Sequence, residues 1–506
     1  MRLPFASTTT LSLISAAGAL GATAWHIARN AAPPTFDDAW YLETSFRLWT
    51  ALKSGPLSFF HAYADAFRIK APLISLVPLP LYALFGAGER VAVWANLPLA
   101  ALAAWSWSRA AAEWWRGHPR ARDAAALGGA LCALTPLAYG LSRLFLVETL
   151  LTALLGLWAW RCAAAKRDDR AEGFRLGALL GLGLLTKVTF PLIAAGFAWP
   201  ARERLRPHAK TALLVALPIA ATWYAANLPY VLGFAWSAGF GRVASGYAGS
   251  NGLAARLDWL SSILRDGLSW PLAFSMAAVA TAAACFAREK PGAGLRTALW
   301  GLAPLLVYAA GVNRETRLVA PLLPVAALLT ARAAVAFPGA AARGAAVAVL
   351  LSAGLGVCAE QTFRTAPGRA LSFNGAPKAG PFWDRAGLVD AVAASGGRVA
   401  AVVLEDPRLN ANNLSSLAAA RGLDLKFVSL GYAQTSAEAA RIRLKDKSCD
   451  TLVLVDGVPE SESPAFLNRA NAGVRAMAAS GRLRTRPEAR AELAPGVAAT
   501  VLRLIW

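Results

Sequence analysis

Residues 71–87 read APLISLVPLPLYALFGA, and whether this stretch crosses a membrane decides the topology of the whole chain. It is apolar enough to be a span, yet it holds Pro72, Pro78 and Pro80 and ends at Gly86. Proline removes a backbone donor and kinks or ends a helix. A juxtamembrane or re-entrant segment is therefore expected in place of a clean span. Charge bias tests that expectation. If 71–87 does not cross, the inner loops carry Arg116, Arg120 and Arg122, then Lys166, Arg167, Arg170 and Arg175, then Arg202, Arg204, Arg206 and Lys210, then Arg288, Lys290 and Arg296, then Arg343. If it crosses, most of these cations move outside, against the positive-inside rule.

Composition sets the same frame. Of 506 residues, 56% are hydrophobic and 16% charged, against roughly 25% charged in soluble proteins. Lipid is the expected solvent for most of the chain. The net charge of +21 is scattered in short clusters between apolar runs, which argues for inner loops and against nucleic-acid binding. The five cysteines and four histidines form no zinc-like cluster, and Cys449 has no disulfide partner in the polar tail.

Working outward, a span needs roughly 20 mostly apolar residues. Candidates are 8–28, 90–112, 124–141, 144–164, 211–231, 269–287, 297–312, 318–336 and 344–362. Residues 174–201 are interrupted by Thr186, Lys187 and Thr189 and read as two short helices. The run 8–28 is read as an uncleaved first span in preference to a signal peptide. The sum is an α-helical polytopic membrane protein of about eleven helices, N-terminus cytoplasmic and C-terminus outside. Trp105, Trp107, Trp114 and Trp115 are expected as an aromatic belt at the inner interface.

Residues 1–362 are thus expected to form the transmembrane module, with outer loops 29–89 and 232–268. The Gly- and Ser-rich stretch 237–252 reads as a mobile loop. Residues 363–506 change character: GRVAAVVLED, LDLKFVSL and DTLVLVDG are β-rich, with helical patterns between and after them. This predicts a small extracytoplasmic α/β domain of about 130 residues. No Gly-rich phosphate loop opens its helices, so no chemistry is assigned to it.

The chemistry-bearing residues gather at the expected outer face. Asp37 and Asp38 follow the first span, with Tyr41 three to four residues on along a helical continuation. A plain acidic helix cap would also fit. Glu148 stands at the mouth of a span, five residues after Arg143; an ionisable residue there is a functional candidate, or half of a local Arg–Glu pair. Lys70, Lys187, Arg314 and Arg317 supply cations on the same side, by snorkelling or as a phosphate site.

The order of these motifs resembles the GT-C glycosyltransferases that use polyprenyl-phosphate sugars, in pattern nearest to the lipid A aminoarabinose transferases and protein O-mannosyltransferases. Asp37-Asp38-Ala39-Trp40-Tyr41 resembles their Asp-Glu-x-x-Tyr, and Lys70-Ala71-Pro72-Leu73 their Lys-Pro-Pro-Leu. Ser142-Arg143 with Glu148 resembles their Ser-Arg…Asp, and Leu185-Thr186-Lys187 their Leu-Thr-Lys-Gly. Arg317 through Pro324 resembles their Arg-Tyr-x-x-Pro-x-x-Pro. The chain departs at Asp38 for Glu, Ala71 for Pro, Glu148 for Asp, Val188 for Gly and Asn96 for Arg.

The resemblance implies a membrane enzyme with a polyprenyl-phosphate-linked sugar donor and a lipid, glycan or protein acceptor, acting at the outer face of the cytoplasmic membrane among membrane lipids, without nucleic acid. It implies Asp37 as base and Glu148 as the second acid. Asp38, Tyr41, Lys70, Arg143, Lys187 and Arg317 would bind substrate, and the outcome would be inversion. No cofactor is required in this reading. A divalent ion, Mg or Mn, held by Asp37 and Glu148 is its variant. The rival readings are a glycolipid transporter or flippase, which calls for midplane charges and repeat symmetry, and a non-catalytic scaffold, which would tolerate loss of Asp37.

Overall fold

The apolar runs become helices because a chain in lipid must satisfy its own backbone hydrogen bonds. In the computed structural model the described residues are 7–241, 252–286, 293–311, 313–364, 373–430, 436–458 and 467–506. Residues 242–251 of the Gly- and Ser-rich loop, with Arg288 and Lys290, lie outside them. The chain divides into two compact units. The first comprises Met1–Arg29, Ala64–Ile74 and Val93–Pro377; the second comprises Asn30–Tyr63, Ser75–Ala92 and Lys378–Trp506.

The first unit is a helical bundle. Among the described residues, four helices are long and apolar enough to cross a membrane, or up to seven if each sharply bent pair is one span. One pair, Ala121–Leu134 with Pro136–Ser142, bends by 58° at the break before Pro136. Leu253–Leu268 and Trp270–Phe286 bend by 98° at Ser269, whose φ is 65°. The apolar stretch 174–201 breaks where its polar residues fall: Arg170–Thr186 ends, Lys187 is extended, and Phe190–Ala198 follows.

Small residues set the packing of the bundle. Helices Asn96–Trp114 and Val147–Ala164 cross at Gly156, where an added Cβ would lie 2.9 Å from Trp107 Cδ1. Trp107 Nε1 donates to Thr152 O at 3.1 Å across the same crossing. Close approach through glycine is the usual device where lipid offers no hydrophobic drive between helices. The expected aromatic belt is corrected here. Trp107, Trp114 and Trp115 are buried, two of them packed on Phe197, and only Trp105 of the four is exposed.

The second unit joins the polar tail to parts of the segment 30–92. Its sheet has the order β2-β1-β3-β5-β4, with β1 Val399–Val402, β2 Lys426–Ser429, β3 Thr451–Asp456, β4 Thr485–Ala494 and β5 Val497–Leu504. β2, β1 and β3 are parallel; β5 runs antiparallel to β3 and β4 to β5. Two apolar clusters cover the sheet, one including Val402, Leu414 and Val501, the other Val403, Leu444 and Leu502. The alternation expected from sequence is present in β1 to β3. The β4–β5 hairpin was not expected. β4 reads TRPEARAELA, and charges with a proline are the hallmark of an edge strand that avoids further pairing.

Within this unit the stretch beginning at Ser75 does not form one long helix. It continues as Leu79–Phe85, only seven residues, ended by Gly86 at φ 82°. The helix Phe36–Ser54 packs on it through Ser45, whose Oγ donates to Ser75 O at 2.8 Å and lies 3.2 Å from Tyr82 Oη. Ser75 Oγ in turn donates to Tyr41 O at 3.0 Å. The same helix packs on Ala411–Ala420, where Asn412 Nδ2 donates to Phe36 O at 3.1 Å.

Candidate functional site

The first unit gathers an acid and cations that lie far apart in sequence. Glu148 sits in the first turn of Val147–Ala164 and is buried, 2% exposed. Its Oε1 accepts from Lys187 Nζ at 3.1 Å. Lys187 can reach it because the helix ending at Thr186 leaves Lys187 extended, at φ −158° and ψ 132°. The charge of Arg317 also acts on Glu148. Arg317 lies in the 3-10 turn Thr316–Leu322, which packs on the Glu148 helix, and its Nε is 2.8 Å from Glu315 Oε1. Glu148 Oε2 and Thr149 Oγ1 are buried without a hydrogen-bond partner among the described residues. Both residues line a cavity of about 40 Å³ with Thr23 and Ser142, room for a water between polar groups.

Arg143 does not pair with Glu148, so the local pair is corrected. It caps the helix Pro136–Ser142, is 3% exposed, and donates through Nη2 to Thr362 Oγ1 at 2.6 Å. Its guanidinium covers the Tyr139 ring at 4.7 Å, a cation–π contact. Two further guanidinium nitrogens, Nε and Nη1, are buried without a hydrogen-bond partner among the described residues. Asn96 is fully buried and donates to Leu144 O at 2.5 Å. Lys70 is half-buried just after a turn tied to helix Ala209–Gly239: Trp223 Nε1 donates to Ala66 O at 3.1 Å and Asn227 Nδ2 to Ala64 O at 2.7 Å.

The second unit holds the acidic pair. Asp37 and Asp38 occupy the first turn of Phe36–Ser54, after Thr35 in an extended conformation. Asp37 is half-buried, whereas Asp38 and Tyr41 are buried, each 6% exposed. The turn therefore separates two neighbouring aspartates by accessibility. Among the described residues no three His, Cys, Asp or Glu side chains are grouped as metal ligands, and one oxygen of Glu148 is already taken by Lys187.

Tyr139, Thr362 and Thr149 stand in none of the motifs: Thr362 meets Arg143 from 219 residues away, Tyr139 lies under the same guanidinium, and Thr149 lines the cavity beside Glu148.

No protein-family model and no curated protein matches the sequence. Solved structures do match by shape. ArnT from Cupriavidus metallidurans bound to undecaprenyl phosphate superposes with a TM-score of 0.62 at 14% identity, covering 98% of each chain. The same protein in the apo state gives 0.58 at 15% identity, covering 97% of each. An Archaeoglobus fulgidus oligosaccharyltransferase, crystallised with zinc and sulfate, gives 0.53 at 12% identity, covering 88% of this chain and 67% of the other. The chain therefore has the GT-C fold, an α-helical polytopic membrane architecture with a small C-terminal α/β domain.

Proposed function

We propose that this protein is a membrane glycosyltransferase that moves a sugar from a polyprenyl-phosphate donor to a hydroxyl or phosphate of a lipid, glycan or protein acceptor, with inversion. It would act at the outer face of the cytoplasmic membrane, with its C-terminal domain on that side. The observation that carries the reading is the Lys187–Glu148 pair under the charge of Arg317, in a fold shared with a protein crystallised on undecaprenyl phosphate.

A lipid phosphate is already a leaving group, so the chain must supply position and charge stabilisation. Asp37 takes the proton of the acceptor hydroxyl. The acceptor oxygen attacks the anomeric carbon from the face opposite the phosphate. The bond from that carbon to the phosphate oxygen breaks, and the polyprenyl phosphate leaves with the electron pair. Lys70, Lys187 and Arg317 stabilise its growing negative charge, and Arg143 adds a further cation for the donor. Glu148 holds the Lys187 ammonium in place and orients sugar or acceptor. Asp38 and Tyr41 support the turn that carries Asp37.

The test uses purified full-length protein with a radiolabelled polyprenyl-phosphate sugar and envelope lipids or glycans as acceptor. Transfer by the wild type, lowered about 10²–10⁴-fold in Asp37→Asn, supports the reading. Movement of intact donor across a vesicle without a glycosidic product would favour the flippase. A chelator arm, with Mg or Mn added back, decides the metal variant.

A further inference from the structure

A second polar site lies at the other end of the Glu148 helix. Arg161, in its last turn, is thirteen residues from Glu148, roughly 20 Å along a helix. Around Arg161 a concavity of about 460 Å³ is lined by Arg109, Arg116, Lys166 and Arg175, with Glu113 and Asp169 as its acids. The acids are matched by cations. Arg116 pairs with Glu113, and Arg161 grips the fully buried Glu172. Arg175 reaches Asp169 at 2.8 Å and Glu172 at 3.2 Å. Arg109 and Lys166 remain, both exposed and without an acidic partner among the described residues. Burying Glu172 under two arginines fixes the guanidinium of Arg161 before any ligand arrives.

The rim has a second chemistry. The Trp160 ring carries Arg109 at 5.2 Å and Arg161 at 5.3 Å from its centroid. Trp105 packs edge-on against Trp160 at 5.2 Å and is 48% exposed. Phe174, next to Arg175, is 60% exposed. Exposed aromatics beside cations are the signature of a membrane–water interface. A free phosphate would use only the cations, whereas a lipid would also use the aromatic shoulder.

We propose that this pocket binds the phosphate of an anionic phospholipid, with Arg109 and Lys166 as the cations that no acid neutralises and Trp105 against the first part of an acyl chain. Basic pockets between helices on the cytoplasmic side take such headgroups, and the charge bias of the loops expects this end of the bundle inside. The site is separate from the donor site proposed above and does not depend on it.

The experiment is lipid titration of the delipidated full-length protein, read by native mass spectrometry, with phosphatidylglycerol, phosphatidylcholine and inorganic phosphate as probes. The wild type retains one phosphatidylglycerol in preference to phosphatidylcholine. Arg109→Gln with Lys166→Gln weakens that retention about 30-fold, and each single change about 5-fold. The single variants carry the comparison if the double variant melts lower. Trp105→Ala weakens phosphatidylglycerol and leaves inorganic phosphate unaffected. Arg167→Gln, an exposed cation of the same loop outside the pocket, changes nothing. Equal retention of the two lipids by the wild type, unchanged retention by the double variant, or an equal loss with Arg167→Gln overturns the proposal. So does inorganic phosphate binding as tightly as the lipid with Trp105 dispensable.

Discussion

Lys187 Nζ lies 3.1 Å from Glu148 Oε1, and the two partners differ in burial: the Glu148 side chain is 2% exposed and that of Lys187 22%. Removing either partner is therefore not symmetric. Lys187→Met strands a buried carboxylate and is expected to cost about 3 kcal/mol. Glu148→Gln keeps an acceptor for a lysine that can reach water, and is expected to cost about 1 kcal/mol. Unfolding of the purified protein in detergent measures both. The double change Glu148→Leu with Lys187→Met should recover most of the Lys187→Met loss, and equal costs for the two single changes would count against the asymmetry.

The two aspartates of one helical turn should separate by assay. Asp37 is half-buried and Asp38 buried. Asp37→Asn is expected to lower sugar transfer about 10²–10⁴-fold, the range for loss of a general base, with an unchanged melting temperature. Asp38→Asn is expected to lower the melting temperature. A transfer-competent Asp37→Asn protein would remove Asp37 from the mechanism.

Gly156 should not tolerate a methyl group. An alanine Cβ there would lie 2.9 Å from Trp107 Cδ1, on the helix that carries Glu148. Overpacking of this kind costs typically 1–3 kcal/mol. Gly156→Ala is expected to lower the melting temperature and, by shifting the helix, to lower transfer as well. Gly233→Ala, where nothing among the described residues lies within 4 Å of the added Cβ, serves as the control.

The C-terminal domain should carry a pH signature. Burial pushes the Glu405 carboxyl from 4.5 up to about 7, opposed by a hydrogen bond with Ser429 and the charge of Arg443. A folded pKa raised above the unfolded one gives stability that is complete below about pH 4.5 and lost as pH rises through 7. The full effect is about 3 kcal/mol. Chemical unfolding monitored in this domain should therefore weaken between pH 5.5 and pH 8 by more in the wild type than in Glu405→Gln. Parallel profiles would show that Glu405 does not titrate in this range.

Much of the helical layout was legible because it follows from local physics. The apolar runs became helices, the polar triplet at Thr186, Lys187 and Thr189 broke one of them, and the prolines of 71–87 kept that stretch in short pieces. The pairing at Glu148 was not legible. Arg143 stands five residues away and Lys187 thirty-nine residues away, so spacing alone favoured the wrong partner. Arg143 instead meets Thr362, 219 residues on. The β4–β5 hairpin was not legible because its edge strand is charged rather than apolar.

By itself the sequence determined that the chain is a polytopic helical protein, which loops carry its cations, and which residue types stand ready for phosphate chemistry. Hydropathy and charge act residue by residue against lipid and water, so they can be read along the chain. The tertiary structure decided which acid meets which cation, which of two adjacent aspartates is more accessible, and that Ser75–Ala92 packs with the helix carrying Asp37. Those outcomes depend on burial and on contacts across distant segments, where a buried charge must find a partner wherever the fold brings one.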